Sequence, residues 1–173
     1  MKKIFLTLVC AVSLLSSCQK LDKKNFGENG LQTKVFTIKG NEISIKEVLS
    51  KVKGKTTFID LWASWCVDCR AGMPEVQALQ TQYGSALNYI FISLDRNEAS
   101  WKKAIKTYQL KGDHYWLKNL KNWKKPHSFT QDIDLDWIPR YMIVGKDGSI
   151  KYFRAIHAND TKLIQAIEND LKL

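Results

Sequence analysis

The stretch that most constrains this chain is Thr-Thr-Phe-Ile-Asp-Leu-Trp-Ala-Ser-Trp-Cys-Val-Asp-Cys-Arg-Ala-Gly-Met-Pro, residues 56–74. Phe58, Ile59, Leu61 and Trp62 make a nearly unbroken apolar run, the pattern of a strand buried within a sheet. A short turn over residues 63–65 follows, and Cys66 and Cys69 then fall where a helix should begin. Spaced three apart on a first helical turn, their sulfurs can close a disulfide, the N-terminal sulfur being the more exposed. That turn offers unpaired N–H groups and a positive dipole end, which stabilise the thiolate that attacks disulfides. A Cys-x-x-Cys pair at a strand-to-helix junction is therefore a redox signal. It could also be half of a zinc site. A structural zinc site needs two further ligands, however, and the only histidines, His114, His127 and His157, are scattered through the last third of the chain. Haem attachment would require histidine directly after Cys69, where Arg70 stands.

The other two cysteines, Cys10 and Cys18, lie in or just after an apolar N-terminal stretch. No disulfide framework is on offer, and Cys66–Cys69 is the one close couple in the body of the chain. Met1-Lys2-Lys3 followed by the apolar residues 4–15 reads as a secretory signal, too short for a comfortable membrane span. It ends Leu15-Ser16-Ser17-Cys18, which resembles a bacterial lipoprotein signal box. By that resemblance Cys18 would be lipidated and become the first mature residue; the alternative is an ordinary signal cut near Ser17 with Cys18 left as a thiol. Both readings put the protein outside the cytoplasm. Residues 18–33, polar with two glycines, read as a tether, which leaves 34–173 as a single domain.

The formal charge of +10 favours anionic partners or an anionic membrane surface without identifying one. No nucleic-acid-binding motif accompanies it, and no nucleic-acid partner is expected. Residues 35–38 and 43–45 around Gly40-Asn41 predict a hairpin, and 46–52 one or two helical turns. Helices are predicted over 66–83, kinked by Pro74, over 98–108 capped by Asn97, and over 160–171. Strands are predicted over 87–94, 114–117, 140–144 and 150–155, the last two joined by the turn 145–148. Strands alternating with helices and closed by a hairpin and helix indicate an α/β sandwich on a mixed sheet.

Asp60 shares a strand face with Phe58 and Trp62, where an unpaired carboxylate is expensive. Desolvation would raise its pKa and suit it to shuttle the proton of a buried cysteine; the alternative is a strand-end carboxylate that reaches solvent. Trp137-Ile138-Pro139-Arg140 precedes an apolar strand. A cis bond at Pro139 would present the Ile138 backbone to an extended substrate, although the residues alone favour a trans bond. The basic run 118–127, holding Trp123, is either a lip for acidic segments or headgroups, or a solvated loop. Trp62, Trp101 and Trp116 read as core, and Trp65 as a cover beside Cys66.

Taken together, Trp65-Cys66-Val67-Asp68-Cys69, Asp60 six residues before the first cysteine, and Ile138-Pro139 near the C-terminal hairpin resemble the thioredoxin superfamily. The tether, hairpin, 46–54 segment and insertion before Trp137 are similar to its TlpA/ResA-like branch of extracytoplasmic thiol–disulfide oxidoreductases, over about residues 34–173. The resemblance implies a three-layer thioredoxin-like sandwich with an N-terminal hairpin. It makes Cys66 the attacking and Cys69 the resolving cysteine, Asp60 the buried acid and Pro139 a cis-proline opposite the cysteines, with Trp65, Ile138 and Arg140 beside the substrate. No cofactor beyond the cysteine pair is implied, and no metal. The implied partners are protein or peptide disulfides, apocytochrome haem-site cysteines being one family-based possibility, together with a membrane thiol reductant. A monomer held to a membrane by a lipid anchor is expected.

The chain also departs from its relatives. Asp68 stands where many have proline, Gly72 where some ResA-like members have glutamate, and Arg140 where a small polar residue is common. Asp68 opposes the helix dipole and disfavours the Cys66 thiolate, so the pair is expected to act as a reductant. Arg140, if near the sulfurs, would cancel part of that field. Two rival readings are a thiol peroxidase on the same fold, whose proline- and threonine-bearing approach to its cysteine is missing at Ala63-Ser64-Trp65, and a binding module that has lost turnover.

Overall fold

The structure, a computed structural model, describes residues 25–118 and 128–172. The signal stretch, Cys18, the first part of the tether and all but Lys118 of the basic run lie outside the described residues.

The first described element is a short helix, α1 (Glu28–Gln32), followed by the hairpin β1 (Lys34–Thr37) and β2 (Glu42–Ser44). Helix α2 (Ile45–Lys51) then begins on a capping box: Ser44 accepts from Glu47 N–H while the Glu47 carboxylate accepts from Ser44 N–H. Next come β3 (Thr57–Trp62), α3 (Val67–Tyr83), β4 (Asn88–Ser93), α4 (Glu98–Tyr108) and β5 (Asp113–Trp116). The chain closes with α5 (Ser128–Asp132), β6 (Arg140–Val144), β7 (Ile150–Ala155) and α6 (Thr161–Leu171).

The seven strands form one mixed sheet in the order β2-β1-β5-β4-β3-β6-β7. β3 and β4 run parallel, as do β4 and β5, while β6 pairs antiparallel with β3. All six residues of β3 are buried, as its apolar run requires of a strand covered on both faces. The register sets which side chains share a face. Asp60 lies opposite Tyr141 and Phe58 opposite Ile143, whereas Leu61 lies opposite Arg140. Since alternate residues point to opposite faces, Phe58, Asp60, Trp62 and Tyr141 share one face and Leu61 and Arg140 the other.

Helices α3 and α4 cover the Asp60 face: Gln77 of α3 donates to the Tyr108 carbonyl at the end of α4, and Trp101 of α4 stacks on Trp116. Tyr83 at the end of α3 lies beside Glu168 of α6. The opposite face is covered by α1, α2 and α5, with Phe26, Leu31, Leu49 and Val52 gathered around Thr57 and Val144. This is a three-layer sandwich.

Its strands and long helices match the sequence-based expectation within a residue or two. Two helices do not. Residues 28–32, part of the stretch that reads as tether, form α1 and pack on α5, over which no element is predicted. Gly27 donates its N–H to Asp132, and a Cβ on Gly30 would come within 2.4 Å of the same carboxylate. Glycine at position 30 is what allows this approach. Among the described residues, no helix is long and apolar enough to cross a membrane.

Candidate active site

The site is built at the C-terminal end of β3, where the strand hands over to α3. Cys66 is the N-cap of that helix, with extended backbone (φ −76°, ψ 114°), and its Sγ accepts from the Cys69 N–H at 3.0 Å. A sulfur in this place faces the free N–H groups of the first turn, which favour negative charge there. The two cysteines form a disulfide with their Cα atoms 5.3 Å apart. Cys66 is 6% exposed and Cys69 fully buried, so one sulfur is at the edge of solvent and the other behind it.

The turn ahead of Cys66 is fixed by Asp95, just past β4. Its carboxylate accepts from the Ser64 N–H at 3.1 and 3.2 Å, from the Ser64 hydroxyl at 2.5 Å and from the Ser93 hydroxyl at 2.8 Å. The Asp95 carbonyl in turn accepts the indole N–H of buried Trp116 at 2.8 Å. A buried carboxylate satisfied in this way holds residues 63–65 rigidly. Nothing in the sequence marks Asp95, because its partners come together only in the folded chain.

Across from the cysteines stands the segment before β6. The Ile138–Pro139 bond is cis, and the Ile138 carbonyl oxygen lies 3.6 Å from Cys66 Sγ. Trp137 donates its indole N–H to the Asp68 carboxylate at 3.3 Å. A cleft of about 290 Å³ opens between α3, this segment and the approach to α6, with Asp68, Gly72, Glu75, Trp137, Pro139 and His157 on its walls. Four of the five large apolar side chains that are exposed among the described residues, Trp65, Val67, Trp137 and Ile156, lie on the segments around the cysteines and this cleft.

Asp60 lies on the sheet face under α3, fully buried, and neither carboxylate oxygen has a hydrogen-bond partner. Burial pushes its pKa well above the usual carboxylate range. Its cross-strand neighbour Tyr141 is equally buried and its hydroxyl also lacks a partner. Burial, with Asp60 and Glu75 nearby, pushes the tyrosine above its ordinary value. The hydroxyl fills the space beside Gly72, where a Cβ would come within 2.7 Å of it. Glu75 sits one turn along α3, its carboxylate accepting from the Ala158 N–H at 3.1 Å and lying 3.7 Å from His157 Nδ1. Tyr141, Glu75 and His157 carry no signal in the linear sequence, since only the β3–β6 register and the docking of α3 bring them to the site.

Arg140 is placed differently from the rest. Its register partner is Leu61, so its side chain leaves the sheet on the face away from Asp60 and α3. The guanidinium is buried and pairs with Asp136. Burial lowers its pKa, an effect opposed by Asp136. The structure thus brings together Cys66, Cys69, Trp65, Ile138 and Pro139, with Asp60 on the sheet face below, and turns Arg140 the other way. Among the described residues, no group of three or more histidine, cysteine or acidic side chains is arranged to hold a metal ion.

Comparison with known proteins adds the family context. A family model described as thioredoxin-like matches residues 54–150, just over half of the chain. The thioredoxin-like protein YneN of Bacillus subtilis is 32% identical over 96 residues, covering 53% of this chain and 56% of YneN. The thiol-disulfide oxidoreductase ResA of Bacillus cereus is 29% identical over 91 residues, covering 52% of this chain and 50% of ResA. The chain thus spans about half the length of the curated relatives it matches. Among solved structures, the thioredoxin domain of a thiol-disulfide oxidoreductase from Bacteroides vulgatus superimposes with a TM-score of 0.61 at 22% identity, covering 79% of this chain and 90% of that one. At that identity the likeness speaks for the fold.

Proposed function

Because this chain belongs to the thioredoxin-like family, we propose that it is a thiol–disulfide oxidoreductase that reduces protein or peptide disulfides through Cys66 and Cys69. The observation that carries this reading is the position of Cys66 Sγ: at the tip of α3, bonded to Cys69 and facing the Ile138 carbonyl. In the reduced protein, the Cys66 thiolate attacks one sulfur of the substrate disulfide. The substrate S–S bond breaks, its electron pair leaves with the first substrate thiolate, and a mixed disulfide remains on Cys66. Cys69 then gives its proton to Asp60 and attacks Cys66 Sγ, which expels the second substrate thiolate and closes the Cys66–Cys69 bond. Two electrons have moved from protein to substrate, and a separate thiol reductant must restore the pair.

The raised proton affinity of Asp60 suits it to take the proton of a buried thiol. Trp65 and the cleft beside Pro139 would seat the substrate chain. The reading calls for no cofactor beyond the cysteine pair. It extends to an extracytoplasmic, lipid-anchored monomer held at Cys18, recharged by a membrane thiol reductant and without a nucleic-acid partner. The lipoprotein-like box and the secretory pattern of residues 1–17 support the anchor and location.

Reduction of insulin disulfides by the reduced protein tests the activity. Turnover should be lost on Cys66→Ser, and turnover unchanged by that substitution would end the reading. Peroxide consumed much faster than insulin is reduced would favour the peroxidase instead. A Cys69→Ser variant should hold physiological substrates as mixed disulfides on Cys66 and so identify them.

A further inference from the structure

We propose that the cleft beside Pro139 selects cationic substrates: the protein preferentially reduces disulfides that carry arginine or lysine within about four residues of the attacked cysteine, where Asp68 and Glu75 receive the charge. This rests on the reading above, in which Cys66 attacks a substrate disulfide. The starting observation is a mismatch of charge. The chain has 27 lysines and arginines against 17 acids. Yet among the described residues no lysine or arginine lines the cleft, and neither Asp68 nor Glu75 is paired with one. Arg70, the one cation of α3, donates instead to the Ser64 carbonyl at 3.1 Å. Each acid has one oxygen engaged, Asp68 by the Trp137 indole and Glu75 by the Ala158 N–H. Among the described residues the second oxygen of each accepts no hydrogen bond.

Two acids alone would be ordinary surface charge; the reactive sulfur nearby is what makes them part of a site. Asp68, Ala71, Gly72 and Glu75 fall at the spacing of one helix face, a stripe that runs along α3 away from Cys66. Its middle is small and its ends are acidic. Trp137, Pro139 and Ile156 face it from other segments, and Trp137 and Ile156 are half-exposed. That wall begins next to the Ile138 carbonyl, which lies against Cys66 Sγ. The cleft is therefore a groove leading from the attacking sulfur, acidic on the helix side and apolar on the other. Arginine and lysine suit both sides, since their methylene stems cover apolar surface while the charged head reaches a carboxylate. An anionic side chain would meet like charge there. Glu75 lies nine positions beyond Cys66, about 13.5 Å along the helix, a span that an extended peptide covers in about four residues. Asp68 receives a cation nearer the cysteine.

The molecule as a whole would give the opposite preference. A net charge of +10 draws anionic peptides by long-range attraction. The sign of the preference thus separates the cleft from the overall field.

The test mixes the reduced full-length protein with two symmetric peptide disulfides, identical except for arginine or glutamate at the fourth residue on each side of the cysteine. The second-order rate constant of disulfide reduction is read for each. The arginine peptide should be reduced about tenfold faster at low ionic strength, with the ratio shrinking in high salt. Asp68→Asn and Glu75→Gln keep acceptor oxygens for Trp137 and Ala158. Each should narrow the ratio about threefold, and together they should erase or reverse it. A change in Cys66 reactivity caused by Asp68→Asn acts on both peptides alike and cancels in the ratio. Glu42→Gln, an exposed acid on the edge strand β2, should keep the wild-type ratio. Equal rates, a faster glutamate peptide, or a ratio unmoved by the double variant would overturn the proposal. Any of these in a protein that reduces insulin sinks the cleft preference alone, whereas no reduction of insulin or of either peptide ends the oxidoreductase reading and this proposal with it.

Discussion

Trp137 and Asp68, sixty-nine positions apart, meet across the cleft through the indole N–H and a carboxylate oxygen at 3.3 Å. This contact fixes a negative charge in the first turn of α3, two residues from Cys66. A carboxylate there competes with the thiolate for the helix N-terminus. Asp68→Asn should lower the pH at which the Cys66 thiolate forms by roughly half a unit and make the pair more oxidising. Thiol titration and equilibration with glutathione measure the two effects. The wild-type pair should remain disulfide-bonded under conditions that reduce the variant.

Asp60 links the site to stability through pH. Its pKa in the folded protein is well above the 3.8 of an ordinary aspartate, so folding binds a proton that the unfolded chain has released. Stability should then fall as pH rises from about 4 toward the folded pKa, by up to about 1.4 kcal/mol per pH unit from this one group. Asp60→Asn removes the effect. Its advantage in urea midpoint over the wild type should be larger at pH 7 than at pH 4; an unchanged gap would mean that Asp60 ionises freely in the fold.

Asp95 offers a structural counterpart. Asp95→Ala leaves the Ser64 N–H and the Ser64 and Ser93 hydroxyls without their acceptor, and should cost roughly 2–4 kcal/mol. Because the same bonds set the turn before Cys66, disulfide reduction should drop even at temperatures where the variant is folded. Asp95→Asn, which keeps acceptor oxygen but not charge, should lie between the two. Denaturation curves and insulin turnover on the same samples separate the effects.

Arg140 was expected beside the sulfurs, and its place in the β3–β6 ladder changes what its replacement should do. The guanidinium pairs with Asp136 on the other face of the sheet, and its Nε and Nη1 have no partner. Arg140→Ala should therefore leave the Cys66 titration where it is. Arg140→Met, which fills the same space without a charge and removes the two unpartnered nitrogens, should be neutral or stabilise by about 1–2 kcal/mol, because Asp136 is exposed and stays hydrated when its partner goes. A clear rise in the Cys66 pKa in either variant would restore the electrostatic role.

The residues that could be read from the sequence are those whose signal is local. The apolar run 58–62, the cysteine spacing and the amphipathic face of α4 each declare themselves within a dozen residues, and each lies in the fold where its pattern requires. Pro139 could be placed only by family resemblance, because its isomer depends on what surrounds it. What stayed hidden depends on partners far away in the chain. α1 has one large apolar side chain, Leu31, too few to trace a helical face of its own, and Asp132, a hundred positions later, gives it somewhere to pack. The direction of Arg140 was hidden for a related reason. Alternation along β6 gives two possible answers, and only the register with β3 selects one.

The packing of residues 25 and 26 also gives the molecule a polarity. Asn25 and Phe26 lie beside Lys53, Gly145 and Gly148, where β3 begins and the β6–β7 turn closes. Cys66 lies past the other end of β3, about 20 Å away for a six-residue strand. Entry point and chemistry thus occupy opposite poles. A chain held by its N-terminal side would present the cysteines outward, toward whatever diffuses past, and a reductant embedded in the same surface would have to reach around the domain or wait for it to tip over. For the protein anchored at Cys18 as proposed above, the number of residues between that anchor and Asn25 would then set how often the pair is recharged.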